Sequence, residues 1–178
     1  MWELHEPKPI KLFIGILAAN ETALAEAVKA ISKSFGVIDL TSEVWPFTQT
    51  DYYKDELGPN ALRQFVSLEK LIDPGKLAKI KHITNKIEMK LARSLKLPLP
   101  RPVNLDPGVI EPSKLILATT KNYSHRIYIG NKMFAEVTLI YEKGAWRHFD
   151  WTYPDYRQAN YHEFFTKVRN RLVEQLKK

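Results

Sequence analysis

Residues 114–149 read KLILATTKNYSHRIYIGNKMFAEVTLIYEKGAWRHF, and this stretch decides the fold. Strands are predicted at Lys114–Thr120, Arg126–Ile129, Met133–Tyr141 and Ala145–Phe149, where β-branched and aromatic residues dominate. The turn Lys121–Ser124 joins the first two, and Gly130-Asn131 and Lys143-Gly144 are hairpin signals between the rest. Strands that follow one another through such short turns pair antiparallel, because a parallel pair needs a crossover of a dozen or more residues. This half therefore reads as a β-meander, and α+β is favoured over a doubly wound parallel sheet.

Working upstream, Lys11–Ala18 (KLFIGILA) is a continuous apolar run and reads as a buried strand. Asn20 is a candidate cap for a helix with Ala23, Leu24, Ala27, Val28 and Ile31 inward, and Gly36 stands where that helix should stop. Val37–Phe47 and Leu62–Ile72 read as two more strands, with a polar loop at 51–60 between them. Asp73 before Pro74 marks a second helix running to about Leu95, with Leu77, Ile80, Ile83, Ile87 and Leu91 at three-and-four spacing. Strand, helix, strand, strand, helix, extended segment is the split βαβ, or ferredoxin-like, order. Leu97–Pro102 (LPLPRP) is an extended connector and the candidate subdomain joint of a single domain spanning 1–178. Asn104–Pro112 (NLDPGVIEP) reads as turn-rich. Asp155 opens a closing amphipathic helix with Phe164, Phe165, Val168, Leu172 and Leu176 inward.

The 178 residues hold no cysteine, which excludes disulfides, thiolate metal sites and cysteine nucleophiles. No apolar run reaches the ~18 residues of a membrane span, and the opening MWELHEPKPIK has acids and prolines where a signal peptide needs an apolar core. A cytoplasmic protein without a membrane partner is expected. The net charge of +7 is concentrated. Nine basic residues lie between Lys70 and Arg101, opposed only by Asp73 and Glu88. A solvated helix face and a nucleic-acid-binding face both fit that pattern.

No phosphate-binding glycine loop, dinucleotide fingerprint, zinc-protease or nucleophile-elbow motif occurs. His82 and Thr84 stand in the order of two-histidine phosphoesterases, but SHRIY at 124–128 does not supply the second motif, and His82 reads as a surface residue. The densest polar segment is 119–128, where Lys121, Ser124, His125 and Arg126 offer what a phosphate or carboxylate requires. With Gly130-Asn131 as a two-residue turn, His125 faces Glu136 across the strand pair. A carboxylate there would orient the imidazole as a general base, or the two would form an ordinary ion pair. Asp106 reads as a turn acceptor or, with Glu136 or Asp51, as a ligand for a divalent metal such as magnesium. Tyr153 and Arg157 combine an aromatic face and a guanidinium, which suit base or sugar stacking and phosphate contact.

The segments KLFIGIL, TDYYKDELGP, FVSLEKLIDP, VNLDPG, KLILATTKNYSHRIYIG, AEVTLIYEKGAW and WTYPDYR together resemble the family catalogued as domain of unknown function 4416. In that pattern a tyrosine often follows DPG, where this chain has Val109, and an aspartate often stands at Asn122. The resemblance implies a bacterial or archaeal cytoplasmic protein and brings no activity with it. From the residues, the expected function is binding of a phosphorylated or other anionic small molecule, a nucleotide included. Lys121, Ser124, Arg126, Asp106, Tyr153 and Arg157 would bind it, and His125 with Glu136 would be the acid–base pair if a phosphate ester is hydrolysed or transferred. RNA binding through the helix at 74–95 and a protein–protein adaptor role are the alternatives.

Overall fold

The computed structural model describes residues 2–49 and 54–177, so the loop role expected of Asp51, Tyr52 and Tyr53 falls outside the described residues. In chain order the elements are β1 (Lys11–Ala18), α1 (Glu21–Phe35), β2 (Ile38–Thr41), β3 (Trp45–Pro46), α2 (Lys54–Leu57), β4 (Leu62–Leu68), α3 (Leu77–Leu95), β5 (Val103–Ile110), β6 (Lys114–Thr119), β7 (Ile127–Tyr128), β8 (Phe134–Glu142), β9 (Ala145–His148) and α4 (Ala159–Gln175). Short 3₁₀ turns at Pro74–Lys76 and Pro154–Arg157 lead into α3 and α4. The strands form one antiparallel sheet in the order β2-β4-β1-β5-β6-β8-β7, with β3 on β4 and β9 on β8. The architecture is α+β.

The local signals explain several boundaries. Asn20 accepts the Ala23 amide at 2.9 Å, and Gly36 ends α1 at φ 97°, a conformation open to glycine. Asp73 accepts the Gly75 amide at 2.7 Å. The strand expected over 37–47 is divided instead into β2 and β3. Between them Ser42 exchanges bonds with Phe65, its hydroxyl accepting the Phe65 amide and its own amide reaching the Phe65 carbonyl. The helix expected from Asp155 begins only at Ala159, because Asp155 is drawn into an ion pair described below.

Strand β1 is buried on both faces, and its alternation sorts the core into two layers. Leu12, Ile14 and Ile16 pack with Ala23, Ala27 and Ile31 of α1 and with Ile80, Ile87 and Leu91 of α3. Phe13 points the other way, into Phe65, Tyr156, Tyr161 and Phe165 beneath α4. Each such side chain contributes about 1.5–3 kcal/mol of burial. Lys11 shares the α4 face. Its ammonium is fully buried and spends its three protons on Asp39, the Leu68 carbonyl and Gln175, tying the end of α4 to the sheet.

The largest departure from expectation is β5. NLDPG is not a turn but the middle of the sheet, paired with β1 along its whole length. Gly108 is required there, since a Cβ would lie 2.5 Å from the Phe13 ring and 2.8 Å from the Ile116 carbonyl. Pro107 is tolerated because of what its other neighbour does. Strand β6 pairs only with Gly108–Ile110 and then leaves. At Leu105 the amide and carbonyl meet Glu88 and Lys81 of α3, so odd-numbered residues of β5 point their backbone groups away from β1. Pro107 therefore lacks its N–H on the β6 side. The ladder stops there, and β5 and β6 splay apart.

Candidate functional site

That splay opens a cleft of about 630 Å³. Its floor and walls come from Arg63 of β4, Asn104 and Asp106 of β5, Leu117–Lys121 at the end of β6, Glu136 of β8 and the Tyr153–Tyr156 turn. Lys81, Arg101 and Glu56 complete the side nearest α3. Cross-strand register puts Asp106 opposite Gly15 and Glu136 opposite Leu117, so both carboxylates face the α4 side of the sheet.

At the floor lies Arg63, 2 % exposed. Its Nη2 donates to Asp155 at 2.8 Å, and Nη1 lies 3.5 Å from Asp106. Asp106 also accepts from Asn104 at 2.8 Å. The guanidinium sits over the rings of Phe47, Phe65 and Tyr156. Burial alone would pull its pKa down, but Asp155 and its neighbours raise it further above the ordinary arginine value, so it stays charged. Burial pushes the Asp155 carboxyl up against the pull of Arg63, and pushes the Tyr156 phenol well up. Tyr161, close to the same guanidinium, is raised by burial to about 12. Both phenols remain protonated donors. Arg63 Nε and Nη1 and the Tyr156 hydroxyl are buried with no hydrogen-bond partner among the described residues.

The α3 side is a second cluster. Glu88 accepts from the Leu105 amide at 2.7 Å and from Arg101 Nη2 at 2.7 Å, and Arg101 also reaches Glu56 at 3.3 Å. Burial raises the Glu88 carboxyl, with Lys81 and Arg101 opposing. Lys81 is 5 % exposed and donates to the Leu105 carbonyl at 2.8 Å. The basic segment is mostly the solvated face expected, with Lys70, Lys76, Lys79, Lys86, Lys90, Arg93 and Lys96 exposed, but Lys81 and Arg101 depart from it and turn toward the cleft.

Four of the eight residues expected at the site line the cleft: Asp106, Lys121, Glu136 and Tyr153. Arg126 and His125 stand behind Glu136. Arg126 Nε donates to it at 2.7 Å and His125 Nε2 lies 3.2 Å from it, while Thr138 approaches its other oxygen at 3.3 Å. Arg126 also holds the Tyr153 hydroxyl at 2.8 Å and the Lys121 carbonyl at 3.1 Å, so it is committed to fixing the rim. The His125 ring is stacked on Trp151, which is stacked on Phe149. Ser124 is on the exposed turn, and Arg157 points to the Thr152 and Asp150 carbonyls, clamping its own loop outside the cleft.

The His125–Glu136 contact forms through a different register from the one expected. Gly130, Asn131 and Lys132 all have positive φ and make a three-residue loop, pairing Ile127 with Ala135 and Tyr128 with Phe134. The contact survives because β7 begins only at Ile127, and His125 curls back from the turn that precedes it. Among the described residues no group of three or more His, Asp or Glu side chains is placed to hold a metal ion. None of their helices is long and apolar enough to cross a membrane.

Sequence reasoning missed Arg63, Lys81 and Asn104 as site residues, took Tyr156 only as one of the aromatic faces of WTYPDYR, and gave Asp155 only as a helix cap. The available signal was a charge at an inward position of an apolar strand: Arg63 in LRQFVSL interrupts β4. With this geometry in view, the family can be stated. The chain belongs to the family described as "Domain of unknown function (DUF4416)", whose sequence model matches residues 8–172. No curated protein sequence matches it.

Proposed function

We propose that the chain binds an anionic small molecule, a phosphorylated compound above all, in the cleft between β5 and β6. The observation that carries this reading is Lys81. Its ammonium is buried in the cleft wall, has one hydrogen bond, to a neutral carbonyl, and has no carboxylate within 4 Å among the described residues. Burying a cation without a direct counter-ion costs several kcal/mol. Two of its three protons remain for a ligand. Arg101, Lys121 and the Thr119 and Thr120 hydroxyls line the same cleft, and these are the groups that hold phosphoryl oxygens. Binding, rather than phosphate-ester chemistry, is what this geometry favours. The His125 imidazole lies behind Glu136 and does not line the cleft, so the pair is better suited to holding the rim than to reaching a bound ester.

The test is calorimetry and thermal shift with inorganic phosphate and pyrophosphate. Pyrophosphate at 100 times its Kd adds about 2.7 kcal/mol, which raises Tm by about 5–10 °C in a domain of this size. Lys81→Met should remove the effect, with folding checked by circular dichroism. A wild-type protein that binds neither anion sinks the reading. A second reading, RNA binding, rests on the exposed row Lys79, Lys86, Lys90 and Arg93 of α3. Salt-sensitive RNA binding lost on replacing Lys86, Lys90 and Arg93, with no anion effect at Lys81, would favour it.

A further inference from the structure

The Lys81 ammonium bonds the carbonyl of Leu105, and the residues on either side of Leu105 offer the opposite kind of group. Asn104 and Asp106 share one face of β5, and both line the cleft. Asn104 is 2 % exposed and gives its amide nitrogen to Asp106 Oδ2 at 2.8 Å. That bond fixes which end of the amide is oxygen, because an ionised carboxylate only accepts. Among the described residues neither Asn104 Oδ1 nor Asp106 Oδ1 accepts a hydrogen bond. Neither oxygen is closed off, either: the polar side-chain atoms sealed from solvent without a partner are Arg63 Nε and Nη1 and the Tyr156 hydroxyl. The cleft therefore presents two accessible acceptors, braced against each other, with no donor from the protein. Buried polar groups in folded proteins are normally satisfied, so this pair points to a partner from outside.

We propose that the cleft takes a sugar phosphate, its phosphoryl group at Lys81 and two neighbouring hydroxyls donating to Asn104 Oδ1 and Asp106 Oδ1. Two adjacent acceptors call for two adjacent donors, and charge decides their kind. Arg63 Nη1 lies 3.5 Å from Asp106, and Lys81 and Arg101 line the same cleft, so a ligand ammonium would meet three cations. Hydroxyls donate without adding charge, and a vicinal pair sets two of them side by side. Tyr153 lines the cleft with its hydroxyl fixed by Arg126 at 2.8 Å, and an aromatic wall suits the C–H face of a sugar ring. The cleft, at about 630 Å³, is larger than a phosphate alone requires. The inference rests on the anionic-ligand reading for the phosphoryl end, and its test separates the two.

The probes are matched pairs that differ in hydroxyls and share the phosphate: glycerol 3-phosphate against propyl phosphate, and ribose 5-phosphate against tetrahydrofurfuryl phosphate. Calorimetry at constant ionic strength gives each affinity. In at least one pair the hydroxylated member should bind about 10-fold or more tightly than its counterpart. Asn104→Leu, which removes one acceptor and keeps the bulk, should bring that ratio close to one. Asp106→Asn, which weakens the other acceptor, should lower it several-fold, and decides the matter if the first variant folds poorly. Pairs whose members bind equally overturn the proposal, as do pairs that fail to bind while pyrophosphate binds. Either result leaves the anion site at Lys81 standing. A ratio that survives in both variants also overturns it, as does tighter binding of phosphoethanolamine, whose second group is an ammonium, than of either sugar-type probe. Failure of pyrophosphate together with every pair would instead remove the anionic reading on which the proposal rests, and the proposal with it.

Discussion

Glu88 carries more of this structure than a single residue of a lysine-rich helix would suggest, and Glu88→Ala measures how much. Three interactions disappear together. The Leu105 amide, on a fully buried residue, loses its acceptor at 2.7 Å. A stranded buried donor costs about 1–3 kcal/mol. Arg101 loses bonds at 2.7 and 3.0 Å. Its side chain is 34 % exposed and keeps Glu56, so this part is discounted to about 1 kcal/mol. Two buried methylenes add about 1–2 kcal/mol. Relief from burying the carboxylate offsets part of the sum, leaving a loss of about 2–5 kcal/mol. Urea unfolding followed by tryptophan fluorescence should show it, with Tm lower by about 5–15 °C. Amide exchange at Leu105 should accelerate. Glu88→Gln keeps an acceptor for Leu105 and should cost clearly less than Glu88→Ala. A Glu88→Ala protein within about 1 kcal/mol of wild type, or an unchanged Leu105 amide, would refute the view that α3 closes the open side of β5.

Gly108→Ala should destabilise by about 2–4 kcal/mol in the same assay, because the Ile116 carbonyl at 2.8 Å is backbone and cannot give way. Arg126→Ala strips the buried Glu136 of its guanidinium and frees the Lys121 carbonyl and Tyr153. A loss of about 3–5 kcal/mol and faster amide exchange through 119–123 are expected. Asp155 supplies a pH signature. Its carboxyl is raised above the ordinary 3.8, so the folded state holds the proton more tightly than the unfolded one. Its contribution is full below that value and falls as pH rises through the folded pKa. Urea titrations between pH 4 and 7 should show that downward slope, and Asp155→Asn should remove it.

The helices and the meander were legible because their signals are local. Asn20, Gly36 and Asp73 act within a few residues of themselves, and the structure finds each where expected. What escaped was set by distant neighbours. NLDPG has the composition of a turn, and only the departure of β6 and the arrival of Glu88 and Lys81 make a proline acceptable in the middle of the sheet. The Gly130 hairpin was misjudged by one residue because Lys132 adopts positive φ, which its side chain does not advertise. Lys121 and Asp106 could be named from polarity, Glu136 from a charge interrupting an apolar strand opposite His125, and Tyr153 from its aromatic face. Arg63 could not, since its role depends on Asp155, which lies 92 positions further on.

That separation has a consequence for synthesis. At about 5–20 residues per second, roughly 5–20 s pass between the emergence of Arg63 and that of its counter-ion. Through that interval Phe13 and Phe65 have nothing from the Tyr156–Phe165 segment to cover them, although the face of β1 toward α1 and α3 can already close. During that interval the two faces of the sheet are unequal: one has α1 and α3 to cover it, and the other still lacks its aromatic cover. Only when the Pro154–Arg157 turn and α4 have emerged can Tyr156 meet Arg63 and Gln175 meet Lys11. The cleft floor comes into being only once the Tyr153–Tyr156 turn has emerged, so a chain terminated before that turn would lack this wall of the cleft.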